Sequence, residues 1–277
     1  MTKKPNMRFV KFFLILSIIN PLTCLPVLKL LGDGMVKGPF RSSYIKKIIK
    51  KHPYQDFQSQ IVFYGASNFR LWTDMETDLK EYKVINCGFG GATDATLVEF
   101  ADRLLFPYNP RMVFFQTGSN DYVSLKGTSE EKIKKCMEYK DQMFTSFHQR
   151  LPNSILVVMS GLLLPGRKEF TGLTQQINEE LKAYCQSHSY MRFVQAEKMT
   201  FDGRVYFESL FRKDLIHLNH EGELKWMREY IKPEIDKLIE ENHFEDLKNK
   251  PQGPTDPSGR RNPEVSDCQE DSSSRFA

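Results

Sequence analysis

Apolar residues in the middle of this chain follow two alternating rhythms. Short unbroken runs read as strands buried on both faces: "IVFYG" at 61–65, "KVIN" at 83–86, "MVFFQT" at 112–117, "SILVVMS" at 154–160 and "MRFVQA" at 191–196. Between them, apolar positions recur three or four residues apart, the spacing of a helix with one buried face. Leu71 or Trp72, Met75 and Leu79 follow the first run. Leu97, Phe100, Ala101 and Leu104 follow the second, behind Thr93 or Asp94 as a cap. Thr128 and Glu131 form a capping-box pattern, opening a helix with Ile133, Met137, Phe144 and Phe147 inward. Ile177, Leu181 and Tyr184 mark the next helix, and a last one is predicted from about Glu221 to Glu241. Strands alternating with amphipathic helices predict an α/β domain over 55–245, its parallel sheet covered on both faces.

In open sheets of this kind ligands bind beyond the carboxyl ends of the strands. Three of the runs end in polar, glycine-containing stretches: Gly65-Ala66-Ser67, Gly90-Gly91 and Gly118-Ser119-Asn120. A turn explains any one of them. All three should lie along one rim, and together they read as a site.

The flanks differ in composition. Basic residues lead into an uncharged stretch from Phe12 to Leu28, the order of a signal peptide or membrane anchor. The stretch barely reaches spanning length and is interrupted by Asn20, Pro21 and Pro26. Residues 1–31 are therefore expected to carry the protein to the membrane or beyond it, with a segment docked on a cytoplasmic protein as the alternative. Residues 32–54 read as a basic linker. From 246 to 277 the chain is rich in Pro, Ser and charged residues and nearly free of apolar ones, which predicts a disordered tail. The net charge of +4 is modest and much of it precedes residue 52, so no nucleic-acid partner is expected. Five scattered cysteines without a C-x-x-C pair argue against a disulfide framework or zinc ribbon, and Cys87, Cys136 and Cys185 read as buried thiols.

Acyl transfer needs a nucleophile, a base, an orienting acid and donors for the developing oxyanion. Ser67 stands between a strand and a helix, where it is either an exposed nucleophile or an N-cap. Gly90 and Gly91 could bring a backbone N–H close to a substrate, and Asn120 offers an amide. In "KDLIHLNHEG", Asp214 and His217 are three residues apart, close enough for the carboxylate to hold one ring nitrogen while the other faces Ser67. Asn219 reads as the N-cap of the last helix.

"YGASNFRLW", "VINCGFGGAT", "FFQTGSNDY" and "KDLIHLN" resemble, in order and spacing, the four blocks of the SGNH, or GDSL-type, hydrolases. The resemblance spans about residues 61 to 240. It implies a flavodoxin-like three-layer α/β/α sandwich with a five-stranded parallel sheet. It also implies a serine esterase without cofactor or metal, with Ser67, Asp214 and His217 catalytic. Ser67, Gly91 and Asn120 match the oxyanion hole, and Asp121 a turn or supporting position. Ala66 departs from the Asp that many members place before the serine.

Three other readings compete. Asp214, His217 and His220 are spaced D-x-x-H-x-x-H, which would suit a metal-dependent hydrolase. A nucleotide site is weaker, because Thr93 stands where G-x-G-x-x-G needs its last glycine. A non-catalytic binding module on a hydrolase fold is the third. The expected partner is a small-molecule, carbohydrate or lipid ester. "LLLPGRKEF", with Arg167, is either a wall of that site or a surface loop.

Overall fold

The computed structural model describes residues 39–249, with side chains from residue 43 onward. The hydrophobic segment within 1–31, most of the tail and the first residues of the expected linker lie outside them.

Five parallel strands form the sheet: β1 Ile61–Gly65, β2 Val84–Asn86, β3 Met112–Gln116, β4 Ile155–Met159 and β5 Met191–Val194. Their order is β2-β1-β3-β4-β5, the flavodoxin-like order. Alternate side chains enter two cores because a strand's side chains change face at every residue. Ile61, Phe63, Met112, Phe114, Val157 and Met159 serve one core, and Val62, Tyr64, Val113, Phe115, Leu156 and Val158 the other. This is why each strand reads as an unbroken apolar run.

The first core is closed by α2 (Ser67–Leu71), α3 (Met75–Asp78), α8 (His220–Trp226) and α9 (Lys232–Asn242), whose Phe69, Met75, Trp226 and Ile235 are fully buried, as is Trp72 at the end of α2. The second is closed by α1 (Pro39–Lys51), α4 (Asp94–Leu104), α6 (Ser129–Arg150) and α7 (Thr171–Gln186). A short α5 (Ser119–Ser124) follows β3.

Three expectations are corrected. The basic linker is, from Pro39 to Lys51, a helix that buries Ile45 and Ile48 in the second core. Its charges had masked the apolar pair. The tail is ordered through Asn249. Leu247 is buried, Lys83 N–H donates to the Leu247 carbonyl at 2.7 Å, and Asn249 Nδ2 donates to the carbonyls of Lys80 and Tyr82. The last helix is not uniform: a π-helical turn at Met227–Ile231 separates α8 from α9. Pro233 lacks an N–H and its ring crowds the carbonyl four residues back, so the ladder must widen there.

Candidate active site

The chain leaves β1 for β2 on one side, then crosses to β3 on the other. This reversal opens a crevice at the carboxyl ends of β1 and β3. Gly65 lets the two strand ends lie close, since a Cβ there would stand 2.4 Å from the Gln116 carbonyl. Ser67 opens α2 on one side of the crevice and Asn120 lies in the first turn of α5 on the other.

His217 Nε2 lies 2.8 Å from Ser67 Oγ, and His217 Nδ1 lies 2.7 Å from Asp214 Oδ2. An ionised carboxylate only accepts, so Nδ1 carries the proton and Nε2 is left to accept from the serine hydroxyl. Slight burial pushes the Asp214 carboxyl up. Hydrogen bonds from the His217 ring and from the backbone N–H groups of His217 and Ile216 outweigh it and bring the group to about 2. Asp214 is thus charged across the working range of a histidine base.

The loop carrying this pair is over-determined. Leu215 takes a left-handed φ of 57°, uncommon for a bulky residue. It is held there by Leu215 N–H donating to the Arg212 carbonyl at 2.9 Å and by Gly166 N–H donating to the Leu215 carbonyl at 2.8 Å. Leu218 N–H, next to the histidine, donates to Asn68 Oδ1, next to the serine, at 3.3 Å. Arg212 Nε donates to the Leu218 carbonyl and its Nη2 to the Leu71 carbonyl, tying the loop to the end of α2.

Gly91 is exposed with φ at 67°, a conformation that favours glycine. Asn120 Nδ2 donates to the carbonyl of Ala92 at 2.9 Å, which brings the amide beside the Gly91 loop and leaves its second N–H to give. Arg167 Nη1 donates to Ser119 Oγ at 2.8 Å, and Arg167 Nη2 lies 3.4 Å from Asn120 Oδ1. The "LLLPGRKEF" loop is therefore a wall of the crevice. Gly166 meets the Asp214–His217 loop on one side, and Arg167 meets α5 on the other.

No family model matches the chain, and no curated protein matches it. Solved structures do. A GDSL-like lipase from Bacteroides thetaiotaomicron superposes with a TM-score of 0.53 at 18% identity, covering 70% of this chain and 98% of that one. A candidate acylhydrolase from Bacteroides fragilis gives 0.58 at 17%, covering 70% and 96%. A candidate lipolytic protein of the G-D-S-L family from Desulfitobacterium hafniense gives 0.51 at 17%, covering 64% and 99%. The chain has the SGNH, or GDSL-type, hydrolase fold.

On this SGNH-type fold, Ser67, Gly91, Asn120, Asp214 and His217 lie around one crevice. His220 does not join them: its Nδ1 lies 3.5 Å from Glu223, and no group of three metal-ligating side chains gathers among the described residues. Sequence reasoning missed a charged cluster beneath the rim. Lys140 Nζ, from the middle of α6, reaches Asp94 Oδ2 at 3.0 Å with both side chains almost fully buried. Thr117 donates its hydroxyl to Asp94 Oδ1, and Asp94 N–H donates to Asp121 Oδ1 at 3.0 Å. Burial and the Asp94 charge push the Asp121 carboxyl up to about 8, against the pull of Lys140. One cation cannot balance two buried carboxylates, so the second keeps its proton. Only the spacing of Lys140 with buried Cys136, Met143 and Phe144 on α6 could have signalled this.

Proposed function

We propose that the protein is a serine esterase that hydrolyses carboxylic esters, of short acyl or acetyl groups, through an acyl-enzyme. The observation that carries this reading is the continuous chain of contacts from Ser67 Oγ through His217 to Asp214, at 2.8 and 2.7 Å. His217 Nε2 takes the hydroxyl proton as Ser67 Oγ attacks the ester carbonyl. The carbonyl oxygen becomes an anion. The backbone N–H groups of Ser67 and Gly91 and the Asn120 amide receive it, and their dipoles are already in place before the charge forms. The N–H of Ser67 lies in the first turn of α2 and needs no intrahelical acceptor, so it can serve here. His217 then returns the proton to the departing alkoxide, leaving the acyl group on Ser67. Water, deprotonated by the same nitrogen, releases the acid and restores the serine. Asp214 holds the imidazole in the tautomer this cycle needs and offsets the positive charge it briefly carries.

A fluorophosphonate reports on this assembly, because it reacts only with an activated hydroxyl. It should label Ser67 in the folded protein, leave Ser67→Ala unlabelled, and label His217→Ala slowly. Full labelling of Ser67→Ala would move the nucleophile to another residue.

A further inference from the structure

A second group of side chains, beside the loop of Gly90 and Gly91, has no part in that chemistry. A cavity of about 180 Å³ lies between α1, the end of β2 and the turn after α2, lined by Tyr44, Lys47, Lys51, His52, Arg70 and Glu76 among others. Pockets for drug-sized ligands start at about 300 Å³, so this one suits a single small group.

Its charge is unbalanced. Glu76 is the carboxylate of the lining, and it is already engaged. Lys51 Nζ lies 2.7 Å from it and His52 Nε2 2.8 Å, and it accepts the Asn86 N–H at 3.1 Å. Lys47 and Arg70 have no acidic partner among the described residues. Arg70 is the more telling of the two. Its Nε is buried without a hydrogen-bond acceptor, and its guanidinium meets the ring of Tyr44 at 5.9 Å. A Cβ on Gly90 would stand 2.9 Å from that Nε, so the guanidinium is pressed against the glycine loop. Arg70 also follows Ser67 by three residues on α2, which places the two on one face of the helix. A guanidinium set between Tyr44 and the glycine loop, with its Nε donor unmet and no acidic partner among the described residues, is suited to receive an oxyanion, for which its planar fork is matched.

We propose that Arg70 and Lys47 form an anion subsite beside Ser67, which takes a phosphate or carboxylate group. That the group is carried by the ester substrate rests on the esterase reading. The affinity of the cavity for an anion does not.

Two measurements on the full chain separate these parts. Inorganic phosphate, titrated by calorimetry, should bind the wild type saturably, and Arg70→Met and Lys47→Met should each weaken binding by about ten-fold. Lys47 is exposed on α1, so its substitution keeps the test open if Arg70→Met fails to fold. The second measurement compares p-nitrophenyl acetate with mono-p-nitrophenyl succinate, each rate taken above spontaneous hydrolysis; the two share a leaving group and differ by a carboxymethyl arm. If the substrate carries the anion, the variants should lose about ten-fold in kcat/KM on the succinate and less than about two-fold on the acetate. Phosphate binding without that discrimination would assign the subsite to a free anion. Absence of saturable phosphate binding together with equal responses to both esters would overturn the proposal. If the wild type turns over neither ester, the esterase reading fails, while the phosphate titration still decides the pocket.

Discussion

Asn120 and Asp121 are neighbours in the chain with opposite environments. Asn120 is half-exposed at the crevice and gives one N–H to Ala92, whereas Asp121 is buried against Asp94. In the proposed reaction the Asn120 amide matters most once charge has reached the carbonyl oxygen. Asn120→Ala should therefore lower kcat by on the order of 10²–10³ with KM little changed. A folded Asn120→Ala that turns over like wild type would remove the residue from the oxyanion hole. Asp121 makes a prediction about stability instead. The unfolded chain releases this proton near the ordinary carboxylate value, while the folded chain holds it to about 8. Between those values the folded state binds more protons, so stability falls as pH rises. Asp121→Asn cannot ionise and should keep most activity. Its advantage in Tm over wild type should widen from about pH 5 to about pH 8. A Tm difference that does not change with pH would mean that Asp121 is ionised when folded.

The elements were legible wherever one periodicity ruled. All five strands lie where the apolar runs placed them, because the three central ones are buried on both faces and the edge strands β2 and β5 are buried in part. Thr93, of the two residues offered, caps α4, Thr128 caps α6 as its spacing with Glu131 implied, and Asn219 caps α8. Short or charged pieces were harder to read. The pattern at Leu71, Met75 and Leu79 is two short helices, α2 and α3, rather than one, and α1 hid behind its lysines. The end of the domain hid behind a polar tail. Leu247 inserts a side chain into the first core, a contact worth about 2–4 kcal/mol by comparison with other buried leucines. A chain ending at Glu245 should accordingly melt several degrees lower than one ending at Asn249, and the latter should melt like the full chain. Equal melting of the two truncated chains would show that the Leu247 contact contributes nothing.

At the scale of the whole molecule, the site is a consequence of topology. Four short blocks, separated by up to 150 residues, meet because the strand order reverses between β1 and β3. Residue types and spacing could suggest that meeting. Spacing on α6 could at most mark Lys140 as inward-facing. It could not name Asp94 as its partner, 46 residues away on another helix. Nor could it reveal Arg212 and Asn68, which act through backbone atoms brought close only by folding.

In the proposed reaction Ser67 carries ester hydrolysis without a metal. Turnover of p-nitrophenyl acetate by wild type and Ser67→Ala, each with and without EDTA, tests it most directly. EDTA should leave wild-type turnover unchanged, and kcat should fall by at least about 10⁴ for Ser67→Ala at an unaltered melting temperature. Wild-type rates in folded Ser67→Ala, or loss of wild-type turnover on chelation, would contradict the proposed reaction.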